Sequence, residues 1–174
     1  MLRFGMCACG GYVQRAALPM IQESDNMAAV AAFDVNPEQL DKACRTFAIP
    51  HACSTFDELL AVEGLDVVYI ASPNVLHKDQ VLAAAAAGKH VFCQKPLATT
   101  AADCRTMIDA CKNANVQLGV GFCNRFGGAQ LLARELIADG RIGEISHMNF
   151  SFNLGGYNKD SVGWRCDPKL SGGG

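Results

Sequence analysis

The sequence predicts an α/β fold: a doubly wound parallel sheet followed by the start of a second α/β domain. Three observations predict it. Apolar segments of strand length alternate again and again with helix-patterned segments, and right-handed crossovers between parallel strands cover both faces of such a sheet. The chain opens Phe4-Gly5-Met6-Cys7-Ala8-Cys9-Gly10-Gly11 straight into a helix-like run, and a second apolar stretch ends in Phe33 and delivers Asp34 about two dozen residues later, the layout of a dinucleotide site. Near Gly121 the character changes to one amphipathic helix and one strictly alternating segment.

Leu2 to Ala8 is the first strand, a helix follows over Tyr12 to Ile21, and Ala28 to Phe33 is the second strand. Asn36-Pro37-Glu38 starts a helix that runs to about Phe47, because Asn can cap exposed backbone donors and Pro at the first helical position needs no donor of its own. Pro50 interrupts the chain, and Thr55-Phe56-Asp57-Glu58 has capping-box spacing for a short helix ending before Gly64. Val67-Val68-Tyr69-Ile70 is a strand buried on both faces, closed by Ser72-Pro73-Asn74. A helix from about Leu76 to Ala87, a strand over His90 to Cys93, a helix from Thr100 through Lys112 and a strand over Val116 to Val120 complete the pattern. Phe126 to Asp139 then reads as a helix with Leu132 and Leu136 on its apolar stripe, closed by Gly140. From Ile145 to Leu154 the residues alternate, Met148, Phe150, Phe152 and Leu154 facing one way and His147, Asn149, Ser151 and Asn153 the other, which predicts a strand with one covered face. Residues 1–122 therefore form the dinucleotide-binding domain and 123–174 an incomplete substrate or oligomerisation domain, the chain stopping at Gly172-Gly173-Gly174 while still inside it.

Composition narrows the partner. Lys and Arg number 15 against 17 Asp and Glu, so no basic excess argues for nucleic acid and no acidic tail for a basic partner, leaving a small molecule. The longest low-charge run, Val81 to Gly88, is too short for a membrane span of roughly 20 residues, and no leader precedes the first strand, so a cytoplasmic protein is expected. The nine cysteines are scattered without a CxxC, which reads as small buried hydrophobes. Cys7 and Cys9 share a strand face, but no second pair completes a metal site. Cys93 is either a reactive thiol beside Lys95 or an ordinary strand-end residue.

Several side chains carry chemistry. Gly10 is where a pyrophosphate needs bare backbone. Val13, at the position where a small residue lets helix and strand pack closely, should push the helix outward or require a smaller neighbour, and Ala8 fits the turn if its backbone is not left-handed. Asp34 either accepts both ribose hydroxyls, selecting NAD over a cofactor with a 2′-phosphate, or makes an ordinary strand-end turn; Arg45 is the one nearby cation that could turn inward. Lys95 stands at a strand end, where an ammonium has either a function or an ion-pair partner.

Together, the glycine turn at Ala8 to Val13, Asp34, Ser72-Pro73-Asn74 with His77, Gly88-Lys89-His90-Val91, Gln94-Lys95-Pro96, Gly119-Val120-Gly121-Phe122 with Asn124-Arg125-Phe126, Gly143-Glu144-Ile145, and Trp164-Arg165 before the triple glycine resemble the Gfo/Idh/MocA oxidoreductases. The resemblance implies a Rossmann-type first domain and hydride transfer between NAD, less readily NADP, and a sugar, polyol or related diol. It implies that Ala8, Gly10, Gly11, Tyr12, Asp34, Ser72, Asn74, His77, Gln94, Lys95, Arg125, Trp164 and Arg165 bind cofactor, with Asn74 and His77 at the nicotinamide end and Trp164-Arg165 on a loop closing over it. His77 has a second reading as a capping or packing residue, and Trp164 as a core anchor. Lys95 is the one catalytic residue implied, polarising the substrate oxygen, and homo-oligomers are implied through second-domain sheets. Family enzymes commonly read Glu-Lys-Pro where this chain has Gln94-Lys95-Pro96, and carry an aspartate and a histidine after the triple glycine, beyond the last residue of this chain. The alternative is a truncated or degenerate nucleotide-binding or interaction protein without catalytic activity.

Overall fold

The computed structural model describes residues 1–151 and 163–172. Six strands, β1 (Leu2–Cys7), β2 (Met27–Phe33), β3 (His51–Cys53), β4 (Val67–Ile70), β5 (His90–Cys93) and β6 (Leu118–Val120), make one parallel sheet in the order β3-β2-β1-β4-β5-β6. The order reverses between β1 and β4, which opens a crevice at the carboxyl ends of the strands.

Local chemistry starts and stops the helices as expected. Asn36 accepts hydrogen bonds from the N–H groups of Glu38 (2.9 Å) and Gln39 (3.3 Å) at the head of α2 (Pro37–Phe47). Thr55 accepts from Glu58 N–H at 3.1 Å before α3 (Phe56–Leu60), and the Glu58 carboxylate reaches back to the N–H of Ser54 at 2.7 Å, one residue earlier than a reciprocal box requires. Thr100 caps α5 (Ala101–Asn113) through the N–H of Asp103. Alpha-helical α1 (Leu18–Gln22) and α2 cover one face of the sheet, with Met6, Val13, Leu18, Ile21 and Tyr69 in the core between them; α3, α4 (His77–Ala86) and α5 cover the other, over Leu59, Val68, Ile70, Val81 and Met107. Both faces of β4 are therefore buried, as its unbroken apolar run predicts.

Four local expectations change. Val13 is fully buried and begins a π-helical stretch, Val13–Ala17, in which the N–H of Leu18 reaches the carbonyl of Val13 five residues back. The oversized residue is accommodated by widened winding. Ala8 is left-handed at φ 75°, contrary to the condition set for its fit. Strand β3, unread beside Pro50, pairs with β2 from Ala31↔His51 to Phe33↔Cys53. The helix expected from Leu76 starts with a 3-10 turn at Asn74–Leu76.

Beyond β6 a 3-10 turn, Cys123–Phe126, precedes α6 (Gly128–Ala138), which ends before Gly140 at φ 67°. No residue of α6 is buried, and Leu132 is 54% exposed. The alternating segment is not strand over Ile145–Ser151, where Met148 and Phe150 stand exposed; Phe152, Asn153 and Leu154 lie outside the described residues. All six strands of the described residues belong to the parallel sheet, so this segment has no ladder to join. The short helix α7 (Pro168–Ser171), capped by Asp167, follows a 3-10 turn at Trp164–Cys166.

Candidate cofactor site

Four loops gather at the carboxyl ends of the strands. After β1 the chain turns at Ala8, whose N–H donates to Phe33 O at 2.8 Å, tying the turn to the end of β2. The next N–H, that of Cys9, donates to Asp34 Oδ2 at 2.6 Å, and Asp34 Oδ1 accepts from Asn36 N–H at 2.8 Å. Asp34 therefore makes a strand-end turn, and that turn holds its carboxylate against the glycine loop. Arg45 does not turn inward; its Nε sits 2.9 Å from Asp41 on the same helix. Beside Asp34 a cavity of about 500 Å³ is lined by Phe33, Val35, Leu40, Ser54, Thr55 and Phe56 among others. Sequence reading missed these walls because Ser54 and Thr55 depend on the three-residue strand β3 for their placement.

Gly10 meets no protein atom where a Cβ would stand, so the fold's own packing leaves that space open. The first helical turn beyond it has N–H groups without intrahelical acceptors, a cradle suited to a phosphate. Gly11 is covered by the Arg15 guanidinium, whose Nη1 lies 2.6 Å from the position of a Cβ there. Tyr12, 42% exposed, reaches the hydroxyl of buried Tyr69. These residues fit a dinucleotide phosphate.

On the far side of the crevice, Ser72 is buried and donates to Gln80 Oε1, while Asn74 Nδ2 donates to Ser171 O at 2.7 Å, bringing α7 against the loop after β4. His77 is 1% exposed, with Nδ1 2.9 Å from Pro96 O and Nε2 3.0 Å from Ser72 O. Both neighbours are carbonyl acceptors, and which of them a ring N–H serves depends on the tautomer. Here His77 takes its packing role, tying the loops after β4 and β5 together. Gln94 Nε2 donates to Tyr69 OH at 2.5 Å, and Tyr69 stacks on Phe92 with centroids 5.2 Å apart. Burial pushes the Tyr69 phenol well above its ordinary range, against the opposing effect of the Gln94 hydrogen bond.

Lys95 follows Gln94 and is joined to Pro96 by a cis peptide bond; it is exposed, and among the described residues neither ion pair includes it. Arg125 lies exposed in the turn after β6, and Trp164 is half-buried in its own turn, which also contains Arg165. Cys93 is fully buried, and burial, reinforced by Cys104 and Cys111, pushes its thiol up to about 12; it is the ordinary strand-end residue. Another cavity, of about 430 Å³ around Arg3, His51 and Glu63, opens at the amino ends of β1 and β3, the edge away from where open parallel sheets bind ligands.

Sheet order, glycine turn and Asp34 together define a dinucleotide-binding Rossmann domain. The family model "Oxidoreductase family, NAD-binding Rossmann fold" (GFO_IDH_MocA) matches residues 2–122, and the chain belongs to that family. It is 36% identical over 174 residues to D-xylose 1-dehydrogenase (NADP(+)) 2 of Haloferax volcanii, covering 99% of this chain and 52% of the relative. Aldose-aldose oxidoreductase from Caulobacter crescentus, solved with glycerol, superposes with a TM-score of 0.85 at 34% identity, over 99% of this chain and 52% of that one. The WlbA dehydrogenase from Bordetella pertussis, solved with NADH and UDP-GlcNAcA, gives a TM-score of 0.76 at 34% identity, over 82% and 41%. The chain spans about half the length of the curated relatives it matches. No helix among the described residues is long and apolar enough to cross a membrane.

Proposed function

We propose that this chain is the cofactor-binding part of an oxidoreductase that moves hydride between NAD and a sugar, polyol or related diol. The observation that carries it is the Asp34 carboxylate, held by the N–H groups of Cys9 and Asn36 between the glycine turn and the 500 Å³ cavity. Asp34 and the cavity beside it would hold the adenosine ribose, and Gly10 and Gly11 would hold the pyrophosphate. A 2′-phosphate would meet the Asp34 carboxylate with no inward-facing Arg45 to offset it, so NAD binds more tightly than NADP. When bound, the nicotinamide supplies the hydride acceptor. Lys95, exposed and in neither ion pair of the described residues, is the group available to polarise a substrate oxygen. Residues 123–174 belong to the substrate and self-association domain, and the setting is cytoplasmic.

A second reading, binding without turnover, draws on the histidines. His77 is held between two carbonyls, and His90 Nδ1 accepts from Gln117 N–H at 3.0 Å at the amino end of β5. Fluorescence titration of the purified chain with NADH and NADPH tests the cofactor claim. Tighter NADH binding is expected, and Asp34→Ala should narrow the preference by removing charge-assisted bonds worth about 1.5 to 3 kcal/mol. Equal or tighter NADPH binding would overturn it.

A further inference from the structure

Resting on the NAD reading above, we propose that Gln94 and Lys95 make the nicotinamide end of the crevice select the redox state of the cofactor, holding the neutral reduced ring in preference to the cationic oxidised one. Sheet order decides where that ring lies. Asp34 marks the adenosine end beyond β2, the glycine turn after β1 takes the pyrophosphate, and a dinucleotide crossing the reversal between β1 and β4 puts its second ring at the ends of β4 and β5.

The groups at that end are Tyr69, Gln94 and Lys95. Gln94 is fixed from two sides: its Nε2 donates to the Tyr69 hydroxyl, and its amide packs so closely on Gly121 that a Cβ there would come within 2.9 Å. Tyr69 is buried and stacked on Phe92, so neither partner of this hydrogen bond brings a charge. Lys95 does bring one. Neither ion pair among the described residues, Arg45–Asp41 or Lys78–Asp103, includes Lys95, and the neutral Gln94 amide beside it offers no counter-charge. Reduction removes one positive charge from the nicotinamide ring, so a net positive surrounding penalises the oxidised form alone. A unit charge beside the ring at an effective dielectric of about 20, further screened by salt, shifts the ratio of the two affinities on the order of tenfold. The empty site is thereby biased towards taking up the reduced cofactor.

The test compares dissociation constants for NAD+ and NADH, by calorimetry, in the wild-type chain, Gln94→Glu and Lys95→Met. A carboxylate at position 94 can accept from the Tyr69 hydroxyl, which reverses the direction of the bond but keeps its two partners while a negative charge is added. Both variants should lower the ratio of the NAD+ to the NADH dissociation constant, Gln94→Glu on the order of tenfold and Lys95→Met several-fold, and added salt should shrink the change. Should Gln94→Glu lose its circular-dichroism signature, Lys95→Met decides, because Lys95 is exposed and carries no packing. Binding of both cofactor forms with a ratio that Lys95→Met leaves unmoved overturns the inference. Failure of the wild-type chain to bind either form overturns the NAD reading itself, and this inference falls with it.

Discussion

Ala8 holds φ 75° in the turn after β1, a conformation in which a Cβ crowds the following carbonyl. The left-handed cost of about 1–2 kcal/mol is partly offset because alanine loses less backbone freedom on folding than glycine does, by roughly 0.5–1 kcal/mol. Ala8→Gly should therefore stabilise the chain by up to about 1 kcal/mol, seen as a higher urea midpoint with an unchanged slope; a lower midpoint would show that the strain lies elsewhere. Among the thiols, burial and the nearby Asp34 carboxylate push Cys9 up to about 12, and burial does the same to Cys93, while Cys123 and Cys166 are exposed. At pH 8 about one in 10⁴ molecules carries a thiolate at a group with a pKa near 12, so iodoacetamide should label Cys123 and Cys166 and spare Cys9 and Cys93, as read by peptide mass spectrometry. At this scale Asp34 was legible from its spacing behind the glycine turn, and Gln94 and Lys95 from their place after a strand. Tyr69 was not, because within a buried strand its hydroxyl looks like core until Gln94 and Tyr12 are seen beside it.

Elements read correctly where local chemistry alone decides them. Asn36, Thr55 and Thr100 each accept from backbone N–H groups at a helix head, and Thr100→Ala should cost about 1 kcal/mol in thermal or urea melts. The bridge from α4 to α5, Lys78 Nζ to Asp103 Oδ1 at 2.7 Å, adds a pH signature. Hydrogen bonds from Lys78 and Thr100 hold the Asp103 carboxyl below its usual range, and Asp103 raises Lys78. The carboxylate's share of stability is present above the ordinary aspartate range and is lost as pH falls through the lowered value; the ammonium's share is present below the ordinary lysine range and is lost as pH rises through the raised one. The melting-temperature gap between wild type and Asp103→Asn should accordingly be widest near neutrality and close at both extremes; a pH-independent gap would mean that the pair carries no linkage. Elements that depend on distant partners were less legible. Residues 145–151 alternate as a strand does, yet pairing needs a neighbour that the described residues do not provide, and β3 is strand only because β2 lies next to it.

Over the described residues, the crevice at the carboxyl ends gathers the groups proposed to hold the cofactor, while no histidine among them stands there ready to take a proton. An alcohol gives up a proton as well as a hydride, and a base must lie within hydrogen-bond reach of its hydroxyl. Lys95 offers an ammonium with donors and no acceptor. His77 has both ring nitrogens against carbonyls, His90 points Nδ1 at Gln117 from the amino end of β5, and His51 lines the cavity at that same edge. The fourth histidine, His147, is exposed in the segment that forms no strand. Absence of a general base typically costs about a hundredfold to ten-thousandfold. These 174 residues alone should therefore bind NADH yet oxidise polyols, sugars and cyclic diols at less than about one turnover per second, at the bottom of the usual enzymatic range, at any pH tried. Steady-state NADH production across such a panel is the measurement. Turnover at tens per second that vanishes in Lys95→Ala would show that another group, on this chain or on a second copy, takes the proton.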